Sequence, residues 1–287
     1  MARVEQIVKL AARYALLIVV LLWTLGPVVW MVSLSLKPPT EWYSPNIIPE
    51  RPILDNYINL FISTVPIGGT YFMTSIAEAI TRPFVNSLII ASMSTIFAVS
   101  IGFLAAYGVS RYKAGGTFTI FFTLLTRMIP GATFVAPLMV YYATLRFLDT
   151  YQALILLYTA VTLTYAIWIL KGFIDEIPPE WEEAALLEGA HPWTIVTQVT
   201  IPLIKGGIAA SALFIFILNW TEFLFALVIS VTQVITLPVQ ISMYASAVGR
   251  MYGSQAALGL IATIPMVIIG YAIQKHLITG FTFGRVR

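Results

Sequence analysis

Two stretches without a single charge decide what this chain can become. Tyr14–Leu34 runs twenty-one residues and Pro83–Ser110 twenty-eight with no Asp, Glu, Lys or Arg. A hydrocarbon core about 30 Å thick takes about 20 helical residues to cross, so each can span a bilayer, the second with room to tilt. Thr117–Tyr142, Thr150–Leu170, Gly206–Val231 and Gln255–Gln274 add four apolar runs of similar length, two of them carrying one charge each, Arg127 and Glu222. The expected fold is therefore an all-α polytopic membrane protein with six transmembrane helices. Tyr14–Leu34 is longer than the apolar region of a signal peptide and lacks a small-residue cleavage site, so it reads as a retained span. Gly26-Pro27 is placed to kink it, which lipid tolerates where neighbouring helices satisfy the freed carbonyls.

The chain is 59% hydrophobic and 10% charged, against about 25% charged in a soluble domain. No polar stretch is long enough to bury a core of its own. With no cysteine there is no disulfide frame, thiolate zinc site or thiol nucleophile. The net charge of +3 points to loop orientation rather than to nucleic acid. Placing the N-terminus inside puts Arg3, Lys9, Arg13, Arg111, Lys113, Lys171, Lys205, Lys275, Arg285 and Arg287 on the cytoplasmic side. Lys37, Arg51, Arg82, Arg146 and Arg250 then fall outside. Ten against five favours both termini in the cytoplasm.

Four segments follow: 1–37, an N-terminal cytoplasmic piece and the first span; 38–82, an extracytoplasmic segment; 83–275, a core of five spans; and 276–287, a cytoplasmic tail. In the second segment, Asn56–Phe61 and Tyr71–Ile80 read as short amphipathic helices at the membrane interface. Within the core, 177–205 is the one strongly acidic interval. Asp175, Glu176, Glu180, Glu182, Glu183 and Glu188 supply six of the thirteen carboxylates within or just before it. Pro178-Pro179 suits the first helical positions, acidic residues favour the first turn, and Gly189 stands where a left-handed C-cap residue belongs. The helix so defined is about nine residues, roughly 13 Å, too short to be stable alone in water. Pro192 opens a second helical run.

At these positions the chain resembles a known family. Glu183-Ala184-Ala185, Gly189 four residues after Ala185, and Val199-x-Ile201-Pro202 match the EAA loop of ABC importer permeases, with Glu188-Gly189-Ala190 where the family usually has Asp-Gly-Ala. Pro27-Val28-Val29-Trp30, Ser35-Leu36-Lys37, Asn56-Tyr57, Ile129-Pro130-Gly131, Leu148-Asp149-Thr150 and Thr236-Leu237-Pro238 resemble its carbohydrate-importing branch. So does the ending Gly280-Phe281-Thr282-Phe283-Gly284-Arg285-Val286. Trp220-Thr221-Glu222-Phe223 resembles the branch's Trp-Asn-Glu-Phe run, with Thr221 in place of Asn.

The resemblance implies a subunit without chemistry of its own. It would pair with a second permease subunit, two copies of an ABC ATPase that bind ATP and Mg, and an extracytoplasmic solute-binding protein, and would carry a sugar, oligosaccharide or polyol. By the same resemblance, Glu180, Trp181, Glu182, Glu183, Ala184, Ala185, Leu187, Glu188, Gly189 and Ala190 would dock on the ATPase. Gly280, Phe281, Thr282, Gly284 and Arg285 would reach it from a bent tail. Tyr244, Ser246, Arg250 and Tyr252 would meet the binding protein.

Arg127 and Glu222 sit inside predicted spans, where a charge costs about 2.5–3.5 kcal/mol on insertion scales. With Trp220, Thr221 and Phe223 they are candidates for the solute pathway, or else structural partners holding helices in register. A second function class, a secondary transporter or channel with Arg127 and Glu222 as an ion relay, explains these charges but not the loop spacing. A membrane enzyme has no assembled acid, base, metal set or nucleophile, and His191 and His276 lie far apart in sequence.

Overall fold

In a bilayer every backbone N–H and C=O bonds within its own segment, and for an uncharged run of this length the helix is the solution. The computed structural model describes residues 2–62, 64–67, 70–73, 80–246 and 249–283, and most of them are helical. In chain order the helices are α1 (Ala2–Ser35), α2 (Asp55–Ile62), α3 (Thr81–Tyr112), α4 (Gly116–Met128), α5 (Ala132–Thr144), α6 (Tyr151–Asp175), α7 (Pro179–Leu187), α8 (Pro192–Ile195), α9 (Ile201–Leu203), α10 (Lys205–Trp220), α11 (Leu224–Ile229), α12 (Leu237–Met243) and α13 (Tyr252–Phe283). A π-helical turn, Val196–Thr200, joins α8 to α9. Two antiparallel hairpins pair β1 (Thr64–Ile67) with β2 (Thr70–Met73) and β3 (Ala245–Ser246) with β4 (Gly249–Arg250).

Four described helices hold unbroken spans of sufficient length and apolarity: Glu5–Ser35, Thr81–Tyr112, Tyr151–Asp175 and Tyr252–Gln274. The two remaining candidates are bent pairs, 93° between Phe121–Met128 and Ala132–Thr144 and 75° between Pro192–Leu203 and Lys205–Trp220. The expected straight helix over Thr117–Tyr142 is thus broken. Ile129 takes an extended conformation, ψ 122°, as the residue before a proline does because the α region clashes with the Pro130 ring. Gly206–Val231 is also not one helix. It stops at Trp220 and resumes as α11, whose first turn is capped by the Glu222 carboxylate, Oε1 accepting from the Phe225 N–H at 3.0 Å. Asn56–Phe61 lies within α2, but Tyr71–Met73 is strand rather than helix. Thr64, Val65, Ile67, Thr70, Tyr71 and Phe72 are β-branched or aromatic, which suits a pleated pair better than a helix. Residues 74–79 of that expectation lie outside the described residues.

The chain divides into two compact units. In Met1–Thr81 with Gln240–Thr263, the end of α1 is tied by side chains. Ser35 Oγ lies 2.7 Å from the Tyr57 hydroxyl, and Asn56 Nδ2 donates to the carbonyls of Ser35 and Lys37 at 2.9 and 2.8 Å. Lys37, counted among the charges on the extracytoplasmic side, is fully buried. Its ammonium donates to the Ser44 carbonyl at 2.8 Å and lies 4.5 Å from the centroid of Trp30. Aromatic face and carbonyl together replace the water it has lost.

In Arg82–Val239 with Ile264–Arg287, α6 packs against α3 and α10 through small residues. A methyl built on Gly102 would sit 2.4 Å from Ala166 Cβ, and one on Gly207 2.3 Å from Phe173 Cγ. Such close approach is how helices gain dispersion energy in lipid, where burial of apolar surface supplies no drive. Polar ties add register: Tyr151 Oη to Asn86 Oδ1 at 2.6 Å, and Ser94 Oγ to the Ile155 carbonyl at 3.2 Å. At one end of this packing, Ala98, Phe103, Ala106, Ala166, Leu170, Ile174, Ile177, Val196, Ile204 and Ile215 form a buried cluster that includes Ile177, two residues before α7, and Val196 of the π-helical turn.

Candidate functional site

The acidic interval folds as its residues dictate. Pro178 is the N-cap of α7 and Pro179 its first residue, with Glu180 and Glu182 in the first turn. At the far end Ala190 N–H donates to the Ala185 carbonyl at 3.0 Å and Gly189 N–H to the Leu186 carbonyl at 3.0 Å. With Gly189 at φ +87°, this pair of bonds is a Schellman motif closed by a left-handed glycine. The spacing of Ala185, Gly189 and Ala190 is therefore that of a helix stop. His191 then caps α8, Nδ1 accepting from the Trp193 N–H at 3.2 Å, and Pro192 follows as its first residue.

α7 has two unlike faces. Trp181, Leu186 and Leu187 are exposed, Leu187 to 90%, and Glu180, Glu183, Ala184 and Glu188 are exposed with them. Ala185 and Ala190 are half-buried, and Gly189 is open to solvent. Glu182 points the other way. It is buried, and its Oε2 accepts from Arg111 Nε at 2.9 Å and from the Tyr107 hydroxyl at 3.2 Å, while Oε1 accepts from Thr200 Oγ1 at 2.8 Å. Arg111 Nη2 continues to the Ile177 carbonyl at 3.1 Å. Of the ten residues assigned to docking, Glu182 is thus committed to its own chain. The sequence held a weak signal for this in Arg111, a cation ending an uncharged run.

The proposed pathway residues do not assemble into one site. Trp220 is packed inside, stacked on Phe216 at 5.7 Å and edge-on to Phe84 at 5.6 Å, so it is core and not pathway lining. Thr221 is exposed with its hydroxyl donating to the Ile217 carbonyl at 2.8 Å, and Phe223 is 38% exposed. Arg127 lays its guanidinium over the Tyr165 ring, 3.7 Å from the centroid, and Nε bonds Thr164 Oγ1. Glu222 caps α11, and its backbone carbonyl accepts from the Tyr158 hydroxyl at 3.4 Å. Arg127 and Glu222 have separate partners and form no ion pair with each other.

Of the residues assigned to a binding protein, Tyr244 is buried and so offers no surface. Tyr252 packs edge-on against Tyr43 at 5.6 Å. Ser246 and Arg250 lie on β3 and β4. In the tail, helical backbone continues through Gly280, Phe281 and Thr282 to Phe283, so Gly280 is no bend. Gly284 and Arg285 lie outside the described residues. Among the described residues no group of His, Asp and Glu could hold a metal ion.

One residue missed as a site organises the α5–α6 turn. Asp149, at φ +59°, accepts from the N–H groups of Val231, Thr232, Gln233 and Val234 at 2.8–3.0 Å and from the Thr232 hydroxyl at 2.9 Å. Partial burial pushes its carboxyl up, but the donors from Gln233, Val231, Val234 and Thr232 outweigh this and hold it at about 2, below the usual 3.8. A depressed carboxyl stabilises the fold above its unfolded value and loses that contribution as pH falls through its folded one. The thermal stability of the solubilised protein is therefore expected to fall as the pH drops from about 4 to about 2. In Asp149→Asn that part of the pH dependence should vanish, at a cost of about 2 kcal/mol near neutral pH. Identical pH profiles for the two proteins would contradict this role of the Asp149 carboxylate.

Residues 98–282 match the family described as binding-protein-dependent transport system inner membrane component. The trehalose transport system permease protein SugB of Mycobacterium tuberculosis is 33% identical over 269 residues, covering 92% of this chain and 93% of that one. The trehalose/maltose transport system permease protein MalG of Thermococcus litoralis is 32% identical over 266 residues, covering 92% and 91%. Among solved structures, a bacterial ABC transporter involved in the import of the acidic polysaccharide alginate superposes with a TM-score of 0.72 at 17% identity, covering 94% of this chain and 97% of that one.

Proposed function

The chain belongs to the family of binding-protein-dependent transport system inner membrane components, and from that membership we propose that it is the permease subunit of an ATP-driven sugar importer. It pairs with a second permease subunit, receives a di- or oligosaccharide from an extracytoplasmic binding protein, and couples to two ATPase subunits that hold ATP and Mg. The chain crosses the membrane six times, each bent pair counting as one span, with both termini and α7 in the cytoplasm. The observation that carries the reading is α7 itself: a nine-residue helix with Trp181, Leu186 and Leu187 bare and ringed by Glu180, Glu183 and Glu188. Large exposed aliphatic and aromatic side chains on so short a helix mark a surface that a partner covers, and buried aromatics tend to dominate such contacts. The two ATPase states bind the outward- and inward-open arrangements unequally, and that difference drives the alternation.

The relatives transport trehalose and maltose by name, which makes α-glucosides the first solutes to try. Proteoliposomes holding the complete complex, with the binding protein outside and ATP inside, should accumulate labelled trehalose, maltose or maltotriose. Uptake should persist when the proton gradient is collapsed and stop when ATP is omitted. Glu183→Lys, which reverses an exposed charge of the docking face, should lower uptake at least tenfold with the protein still inserted. Accumulation without ATP, driven by the proton gradient, would replace this reading with an Arg127–Glu222 relay.

A further inference from the structure

We propose that Glu182 is the pivot that transmits the movement of α7 to the membrane helices, an inference that rests on the importer reading above. An exposed helix on a partner's surface can move freely unless something fixes it to the spans. α7 presents most of its side chains to solvent, and Glu182 is its buried residue. That single carboxylate is bonded to three side chains on two different elements. Arg111 and Tyr107 belong to the last turns of α3, and Thr200 closes the π-helical turn that leads through α9 into α10. A push on α7 thus reaches two apolar helices through one group.

The joint is built to resist shear. Arg111 engages both the carboxylate and the Ile177 carbonyl at the entrance to α7, so the pair is held at two points. Beside it Ser110 bonds Asp175, which pairs with Lys171, fixing the end of α3 to the end of α6. The Arg111 and Glu182 side chains are 12% and 10% exposed, so water neither screens the pair nor supplies substitute partners. Removing one member of such a pair leaves the other charge buried and uncompensated. The π-helical turn beside it is a device frequent at functional sites, and here its last residue, Thr200, is the one that bonds the pivot.

Glu182 is accordingly a positioning residue and does not touch the ATPase. A merely structural brace would lower the amount of assembled complex but leave its efficiency intact. The test reads sugar molecules moved per ATP hydrolysed, in the proteoliposomes above, using the labelled sugar that the wild-type complex accumulates and normalising to the ATPase bound. Glu182→Gln keeps the shape and loses the charge, and is expected to lower the ratio at least tenfold while ATPase subunits still co-purify. Thr200→Val and Tyr107→Phe each remove one hydroxyl, and are expected to lower it by about fivefold and twofold. A wild-type ratio in Glu182→Gln overturns the pivot. If that variant does not assemble, a wild-type ratio in Thr200→Val overturns it instead. A wild-type complex that moves no sugar on ATP overturns the importer reading itself, a failure that the variants do not enter.

Discussion

Gly189→Val is expected to abolish ATP-driven uptake while the protein still inserts in the membrane. The residue sits at φ +87°, a conformation that costs an ordinary L-residue roughly 1–2 kcal/mol and a β-branched one more. Nothing lies within 4 Å of a methyl built there, so the penalty comes from the backbone alone. Relieving it means unwinding the bonds from Ala190 to the Ala185 carbonyl and from Gly189 to Leu186. A nine-residue helix cannot spare its last turn, because nucleation makes short helices marginal to begin with. The exposed face bearing Trp181 and Leu187 would then have no fixed shape to offer. Asparagine tolerates the left-handed region far better, so Gly189→Asn should retain most of the uptake. The measurement is ATP-dependent sugar uptake per inserted protein for both variants. Equal uptake in valine and wild type would show that the helix stop has no part in coupling.

The second large effect is expected deep in the membrane. Gly102→Leu should leave almost no folded protein, because even the first carbon of the new side chain falls 2.4 Å from Ala166 Cβ, with the Ala166 carbonyl carbon and Ile167 nitrogen at 3.3 Å. Ala166 has no rotamer to turn away, so α3 and α6 must separate along their length. Overpacking a close contact costs about 1–3 kcal/mol for small additions, and a whole leucine exceeds that range. The sharper test exchanges the methyl across the contact. Gly102→Ala alone should lower the yield of monodisperse solubilised protein and its unfolding temperature. Gly102→Ala combined with Ala166→Gly should recover most of both, a coupling that neighbouring sites show and distant ones do not. Failure of the pair to recover would mean that the helices are not in this register.

Part of the candidate site was legible in the sequence because its rules are local. Pro178, Pro179 and the acidic first turn mark where α7 starts, and Gly189 marks where it stops, whatever surrounds it. The same holds for Ile129-Pro130, although the apolar run from Thr117 to Tyr142 masks that break by its length. What Glu182 does was not legible. Three of four consecutive residues, Glu180, Glu182 and Glu183, are glutamates in or beside one helical turn, and nothing in their order says which one turns inward. Arg111 lies 71 residues away in the chain, and only packing of α3 beneath α7 brings it to Glu182. Asp149 was hidden for the same reason, its donors lying 82 to 85 residues further on.

By itself, the sequence determined that this chain lives in a membrane, that its longest uncharged runs, Tyr14–Leu34 and Pro83–Ser110, are helical, and where the acidic helix begins and ends. Length, charge and capping act between near neighbours, so they can be read in order. Tertiary structure alone decided that Lys37 is buried beneath Trp30, that Trp220 packs as core, and that Arg111 and Glu182 meet. Those outcomes depend on which helix faces approach each other closely enough, as Gly102 does Ala166, to exclude water and force buried charges to find one another.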